Sequence, residues 1–158
     1  MSRPTRSIRR RESAGGHGFS DLSPILARVY AARGVRDSEE LNLSLAALHP
    51  PELLAGLDAA TERLQRALDN QERILIVGDF DADGATSTAL AIAALRQFGA
   101  TAVDYLVPNR FEFGYGLTPG IVALAQEKKP DLIVTVDNGI SSIDGVAAAN
   151  AAGIEVLI

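Results

Sequence analysis

Four short apolar runs in the later part of the chain constrain its fold more than any other feature: Ile74–Val77, Ala102–Leu106, Leu132–Val136 and Glu155–Ile158. Val, Ile and Leu dominate them, and they barely alternate with polar residues. Strands with one solvated face alternate, whereas strands buried on both faces of a parallel sheet do not. Helical segments separate the runs, at about 85–98, 118–126 and 142–152. Gly99 and Gly153 stand where C-terminal caps belong, and Thr118-Pro119 is a good helix start. Alternating strands and helices predict right-handed βαβ units, hence an α/β fold with a parallel β-sheet flanked by helices. In such sheets ligands bind beyond the carboxyl ends of the strands. The chemistry is therefore sought in the segments that come after each apolar run.

The first 72 residues read differently. Residues 1–18 are rich in Arg, Ser and Gly, with Arg3, Arg6, Arg9, Arg10 and Arg11, and read as a disordered basic tail. A phosphate-contacting arm and a mitochondrial presequence are the alternatives. Residues 19–72 form a helical N-terminal segment. Ser23 and Pro24 start one helix, Gly34 ends it, and Ile25, Leu26, Val29 and Tyr30 make its apolar face. After a Pro50-Pro51 loop, Asp58 caps a second helix running to about Asn70, with Leu64, Ala67 and Leu68 at helical spacing. Residues 73–158 form the α/β part.

Composition narrows the function classes. The 158 residues suffice for one domain with a real core, and no apolar run reaches the length of a membrane span. The N-terminus has no apolar core of a secretory signal. With no cysteine, disulfides, Cys-based zinc sites and a thiol nucleophile are excluded, which suits a cytoplasmic protein. The net charge of −5 argues mildly against nucleic-acid binding by bulk charge. Clustered carboxylates that hold cations would, however, lower that count.

The first run leads straight into Gly78-Asp79-Phe80-Asp81-Ala82-Asp83-Gly84. Three carboxylates within five residues repel one another, and hard divalent cations such as Mg²⁺ or Mn²⁺ would relieve that repulsion. The helix expected near Ala85 adds backbone N–H donors for an anion. Other readings remain. A nucleotide-binding Gly-rich loop would suffer from carboxylates facing phosphate. An EF-hand would need Glu at its twelfth position, where Leu90 stands. A dehalogenase-type phosphatase would use Asp79 as nucleophile and Asp81 as acid/base. A solvated acidic turn is the bland reading.

Two further segments come after later runs. In Val107-Pro108-Asn109-Arg110-Phe111-Glu112-Phe113-Gly114-Tyr115-Gly116-Leu117, Arg110 could grip a phosphate and Phe111, Phe113 and Tyr115 could stack on a base. Gly114 and Gly116 would permit a tight backbone around Tyr115. Equally, the aromatics could pack on the domain and Arg110 could pair with Glu112. After the third run comes Val136-Asp137-Asn138-Gly139-Ile140-Ser141-Ser142. Asp137 could join the first three aspartates or serve only as a cap. Asn138-Gly139 makes a turn, and Ser141 or Ser142 can cap the next helix.

The three segments, in this order and spacing, resemble the Asp-His-His (DHH) phosphoesterases, and more narrowly their single-strand exonuclease branch. Asp79-Phe80-Asp81-Ala82-Asp83-Gly84 matches the family's D-Y-D-A-D-G signature with Phe for Tyr. The stretch Ser23–Gly34 and Leu48-His49-Pro50-Pro51 also look like that branch, so the resemblance covers roughly residues 20–158. It implies a 5′→3′ exonuclease releasing mononucleotides from single-stranded DNA in repair and recombination, by a two-metal mechanism with Mn²⁺ or Mg²⁺. Single-stranded DNA is the implied partner, with a single-strand-binding protein and a helicase beside it, and no membrane. By motif position Asp79, Asp81, Asp83 and Asp137 are the implied catalytic and metal residues. Arg110, Phe111, Gly114, Tyr115, Gly116, Asn138 and Ser141 are the implied substrate contacts. The naming Asp-His-His triplet is absent; His17 and His49 lie elsewhere. The chain is thus expected to be an N-terminal fragment ending just before that triplet, with an incomplete two-metal site and little or no activity of its own. An oligonucleotide or cyclic-dinucleotide phosphodiesterase of the same family is the alternative, as is a dehalogenase-type phosphatase.

Overall fold

The computed structural model of the chain describes residues 18–158 and divides into two compact units, up to Leu53 and from Leu54 onward. The Arg-rich tail expected over residues 1–18 lies almost wholly outside the described residues.

In the first unit the sequence signals for the opening helix are met. Helix α1 spans Pro24–Ala31, with Pro24 in its first turn and the Ser23 hydroxyl accepting from the Leu26 amide at 3.4 Å. Its predicted apolar face is not buried, however. Ile25, Leu26 and Val29 are exposed, and Ala27 is the buried residue. Tyr30 packs against Phe19 instead, with ring centroids 6.2 Å apart. Among the described residues, the rest of the unit contains three single 3₁₀ turns, Glu39–Leu41, Leu45–Ala47 and Pro51–Leu53, none of which has a buried residue.

The second unit opens with α2, Leu57–Asp69. Gly56, with φ +80°, holds the cap position predicted for Asp58. Asp58 lies in the first turn, where its charge complements the helix dipole. Next come β1 (Ile74–Val77), α3 (Ala82–Gln97), β2 (Val103–Leu106), α4 (Arg110–Phe113), α5 (Pro119–Glu127), β3 (Leu132–Thr135), α6 (Ile143–Ala151) and β4 (Glu155–Leu157). All four strands are parallel, in the order β2-β1-β3-β4. Ile74–Val77 is paired on both sides, with Val103–Leu106 and with Leu132–Thr135.

The apolar runs do what their lack of alternation predicts. Leu75, Val77 and Ile133 join Leu117, Ile121, Val122, Ala125 and Ala149 in one core cluster, beneath α5 and α6. Ile74, Ile76 and Leu132 join Ala67 and Leu95 in another, beneath α2 and α3. Each fully buried aliphatic side chain contributes about 1.5–3 kcal/mol. Strand β2 departs from the expectation of burial on both faces: Asp104 and Tyr105 are exposed because β2 is an edge strand. Two further differences bear on the site. Helix α3 begins at Ala82 rather than near Ala85, and Arg110–Phe113, expected as loop, is a turn of helix.

From β1 the chain crosses to β2 on one side, while β3 and β4 lie on the other. The sheet order therefore reverses between β1 and β3. Loops leaving the two strands diverge there and open a crevice at the carboxyl ends.

Candidate metal centre

The crevice is filled by the first and third motifs. Asp79 lies two residues beyond the end of β1. Asp81 caps α3, its carboxylate accepting from the Gly84 amide at 3.0 Å. Gly84 is required here. A Cβ on it would meet the backbone of Asp79, with the carbonyl carbon at 2.6 Å and Cα at 2.7 Å. That contact lets α3 start so close to the strand that Asp79 and Asp81 face one space. Asp137 leaves β3 with φ +60°, a left-handed conformation that Asp tolerates better than most residues.

Asp79, Asp81 and Asp137 each place a carboxylate oxygen within 4.8 Å of the others. Asp83 stands one turn position into α3, outside this group, yet its charge still acts on Asp137. Loss of solvation raises the carboxyl of the exposed Asp137 above the ordinary carboxylate range, and the charge and hydrogen bonding of Asp81, then the charges of Asp83 and Asp79, push it further. Crowded, partly exposed oxygen donors with unrelieved negative charge suit a hard divalent cation.

Asp79 is the exception within the group. Its side chain is only 11% exposed, and Arg110 Nη2 donates to both of its oxygens, at 2.9 and 2.7 Å. Burial would raise this carboxyl, but the Arg110 hydrogen bonds, the Phe80 amide and the Arg110 charge together hold it below the ordinary range. Arg110 therefore pairs with Asp79 rather than with Glu112. Its guanidinium carbon lies 3.7 Å from the Phe80 ring centroid and 5.4 Å from that of Tyr115. The Arg110 Nε is buried without a partner among the described residues. Sequence reasoning does not single out Phe80. Its position inside the acidic motif is visible there, but its stacking on a residue thirty positions later is not.

The remaining predicted contacts divide. Phe111 is 92% exposed at the mouth of the site, whereas Phe113 packs toward the core beside Gly120. The Tyr115 hydroxyl donates to the Asp137 carbonyl at 3.0 Å. Gly114 and Gly116, with φ +78° and +76°, allow the tight path around Tyr115. Ser141 is exposed. Ser142 occupies the cap position of α6 but makes no capping bond; its hydroxyl accepts from the Leu117 amide at 3.0 Å, tying the second motif to the third. Asn138 points its amide nitrogen at the Val77 and Val136 carbonyls, each at 3.0 Å.

A family profile described as "DHH family, N-terminal domain" matches residues 73–158, more than half of the chain. The chain belongs to the DHH family. Among relatives of this DHH chain, the single-stranded-DNA-specific exonuclease RecJ of Dickeya dadantii is 54% identical over 151 residues, covering 96% of this chain and 26% of the relative. RecJ of Escherichia coli is 52% identical over 139 residues, covering 88% and 24%. Solved DHH structures agree. Exonuclease RecJ bound to manganese aligns with TM-score 0.60 at 39% identity, over 70% of this chain and 27% of that one. RecJ of Thermus thermophilus in complex with Mn²⁺ aligns with TM-score 0.56 at 34% identity, over 86% and 18%. The chain thus spans about a quarter of the length of the relatives it matches. The family assignment displaces the dehalogenase-type reading of the acidic motif.

Proposed function

We propose that this chain contributes part of the active site of a metal-dependent exonuclease that degrades single-stranded DNA 5′→3′ to mononucleotides, in DNA repair and recombination. The observation that carries this reading is the convergence of three carboxylates at the strand-order reversal of a DHH domain. The 50–54% identity to exonucleases specific for single-stranded DNA supports the substrate class. Structures of related exonucleases bound to manganese support the choice of Mn²⁺ or Mg²⁺.

Asp79, Asp81 and Asp137 would hold the metal, with Asp83 adding negative charge from α3. Bound divalent ions would supply Lewis-acid stabilisation of the attacking and leaving oxygens and a water acidic enough to ionise near neutral pH. Arg110 stands beside the carboxylates and carries the one positive charge in the first two motifs, so it is the residue to grip a phosphate oxygen. Exposed Phe111 and half-exposed Tyr115 offer ring faces to bases. Gly114 and Gly116 shape that loop, while Asn138 and Ser141 belong to the third motif beside Asp137. The reading places the protein in the cytoplasm, working with a single-strand-binding protein and a helicase. No helix among the described residues is long and apolar enough to cross a membrane.

The test uses the full-length protein with Mn²⁺ and three substrates: 5′-phosphorylated single-stranded DNA, the same DNA as duplex, and a dinucleotide. Stepwise release of mononucleotides from the single strand alone is expected, with Asp81→Ala lowering the rate at least ~10²-fold. Cleavage of the dinucleotide alone would move the protein to the small-substrate branch of the family. Unaltered cleavage by Asp81→Ala would overturn the site.

A further inference from the structure

Asn138 has an unusual arrangement beside the carboxylates, and its role, as inferred from that arrangement, rests on the metal-site reading. Ladder pairing between β1 and β3 ends at Val77 and Thr135. Beyond it, the Val136 amide donates to the Val77 carbonyl at 3.1 Å. The Asn138 side chain then adds another rung. Its Nδ2 donates to that same Val77 carbonyl and to the Val136 carbonyl, both at 3.0 Å. Both partners are carbonyls, which only accept, so the amide nitrogen must face them. The Oδ1 is left buried without a partner among the described residues. Such an orphan is unfavourable, and an apolar side chain would avoid it.

The two carbonyls tied together are informative. Val77 lies two residues before Asp79, and Val136 lies immediately before Asp137. Asn138 therefore bridges the backbone just upstream of the carboxylates that come from different strands. Asp137 itself has the left-handed φ of +60°, and its carbonyl receives the Tyr115 hydroxyl at 3.0 Å. The peptide carrying Asp137 is held from both sides while its carboxylate is repelled by Asp79, Asp81 and Asp83. Unrestrained, a carboxylate under that repulsion would swing away from the others.

We infer that Asn138 is a positioning residue: its carboxamide, with the Tyr115 hydroxyl, fixes the Asp137 carboxylate at the spacing from Asp79 and Asp81 that a divalent ion needs. Asn138 acts through the backbone and touches neither metal nor substrate.

The experiment measures Mn²⁺ binding to the full-length protein by electron paramagnetic resonance, and urea denaturation of the same samples without metal. Asn138→Ala is expected to weaken Mn²⁺ binding about tenfold, the usual scale for residues that orient ligands from behind. Tyr115→Phe keeps the ring, loses one bond to Asp137, and is expected to weaken binding about two- to threefold. A lower urea midpoint with unchanged Mn²⁺ affinity in folded Asn138→Ala would make the residue a structural turn only and overturn the inference. If Asn138→Ala does not fold, unchanged affinity in Tyr115→Phe overturns it instead. A wild-type full-length protein that binds no Mn²⁺ would sink the metal-site reading itself, an outcome distinct from both.

Discussion

Asp104 and Asp137, at opposite ends of the sheet, are treated in opposite ways. On the β2 edge Asp104 receives Lys128 Nζ at 2.6 Å, and just ahead of β3 Asp131 accepts the Arg73 amide at 2.8 Å. The Lys128 hydrogen bond, helped by the Tyr105 amide, holds Asp104 below the ordinary carboxylate range. At the carboxyl ends Asp137 is pushed above that range by loss of solvation and by three other aspartates. Acids that only stabilise the fold sit beside a base. Acids left facing one another make the fold less stable, and their persistence at one spot calls for a cation from outside. The contrast locates the site without reference to any pocket: a groove of about 660 Å³ between α2 and α3 is lined by Leu64, Leu68, Ala91 and Leu95 and holds none of this chemistry.

The comparison is broken most strongly by altering the backbone that brings the carboxylates together. Gly84→Ala would drive a methyl group into the Asp79 backbone, which cannot rotate away. A loss of about 3 kcal/mol is expected, as for an overpacked core. Asp131→Ala, at the other end, removes a half-exposed pair and should cost under about 1 kcal/mol. Urea denaturation of both variants checks this. Equal small losses would mean that the carboxyl end is as yielding as the amino end, and that the carboxylate spacing is not imposed by packing.

Much of this was legible from sequence because it depends on local pattern. The non-alternating runs gave the parallel sheet, and Thr118-Pro119 and Ser23-Pro24 gave helix starts that the structure bears out. The exclusion of Asp83 from the carboxylate group was not legible. It depends on α3 starting at Ala82, which in turn depends on Gly84 touching the Asp79 backbone. The pairing of Arg110 with Asp79 was also hidden, since it joins residues 31 apart that meet only because β2 lies beside β1. The α1 face departs from expectation for the converse reason: helical periodicity reports what a helix can bury, and Ile25, Leu26 and Val29 are exposed among the described residues.

Added metal should act on one end alone. Mn²⁺ at about a hundred times its dissociation constant should raise the unfolding free energy by about 2.7 kcal/mol, if it binds only the folded chain. Asp81→Ala should lose most of that gain, and Asp104→Ala should keep it. Thermal unfolding with and without Mn²⁺ measures the difference. A gain that survives Asp81→Ala would place the metal elsewhere.

Acid gives the smallest effect and the sharpest comparison, because its sign differs between the ends. Asp104 has a lowered folded-state value. Its contribution to stability is present above its ordinary value and disappears as pH falls through the lowered one. Asp137 has a raised value. Its contribution is present below its ordinary value, near pH 4, and disappears as pH rises through the raised one. At pH 7 without metal, ionised Asp137 therefore weakens the fold. Asp137→Asn should melt slightly higher than the wild type, and the gap should narrow on acidification. It should not close fully, since Asn also accepts the left-handed φ at this position more readily. Carboxyl NMR titration should show Asp104 titrating below the ordinary range and Asp137 above it. Were both to move the same way, bulk charge rather than local pairing would govern the two ends, and the crowding at Asp137 would no longer mark it as a cation's place.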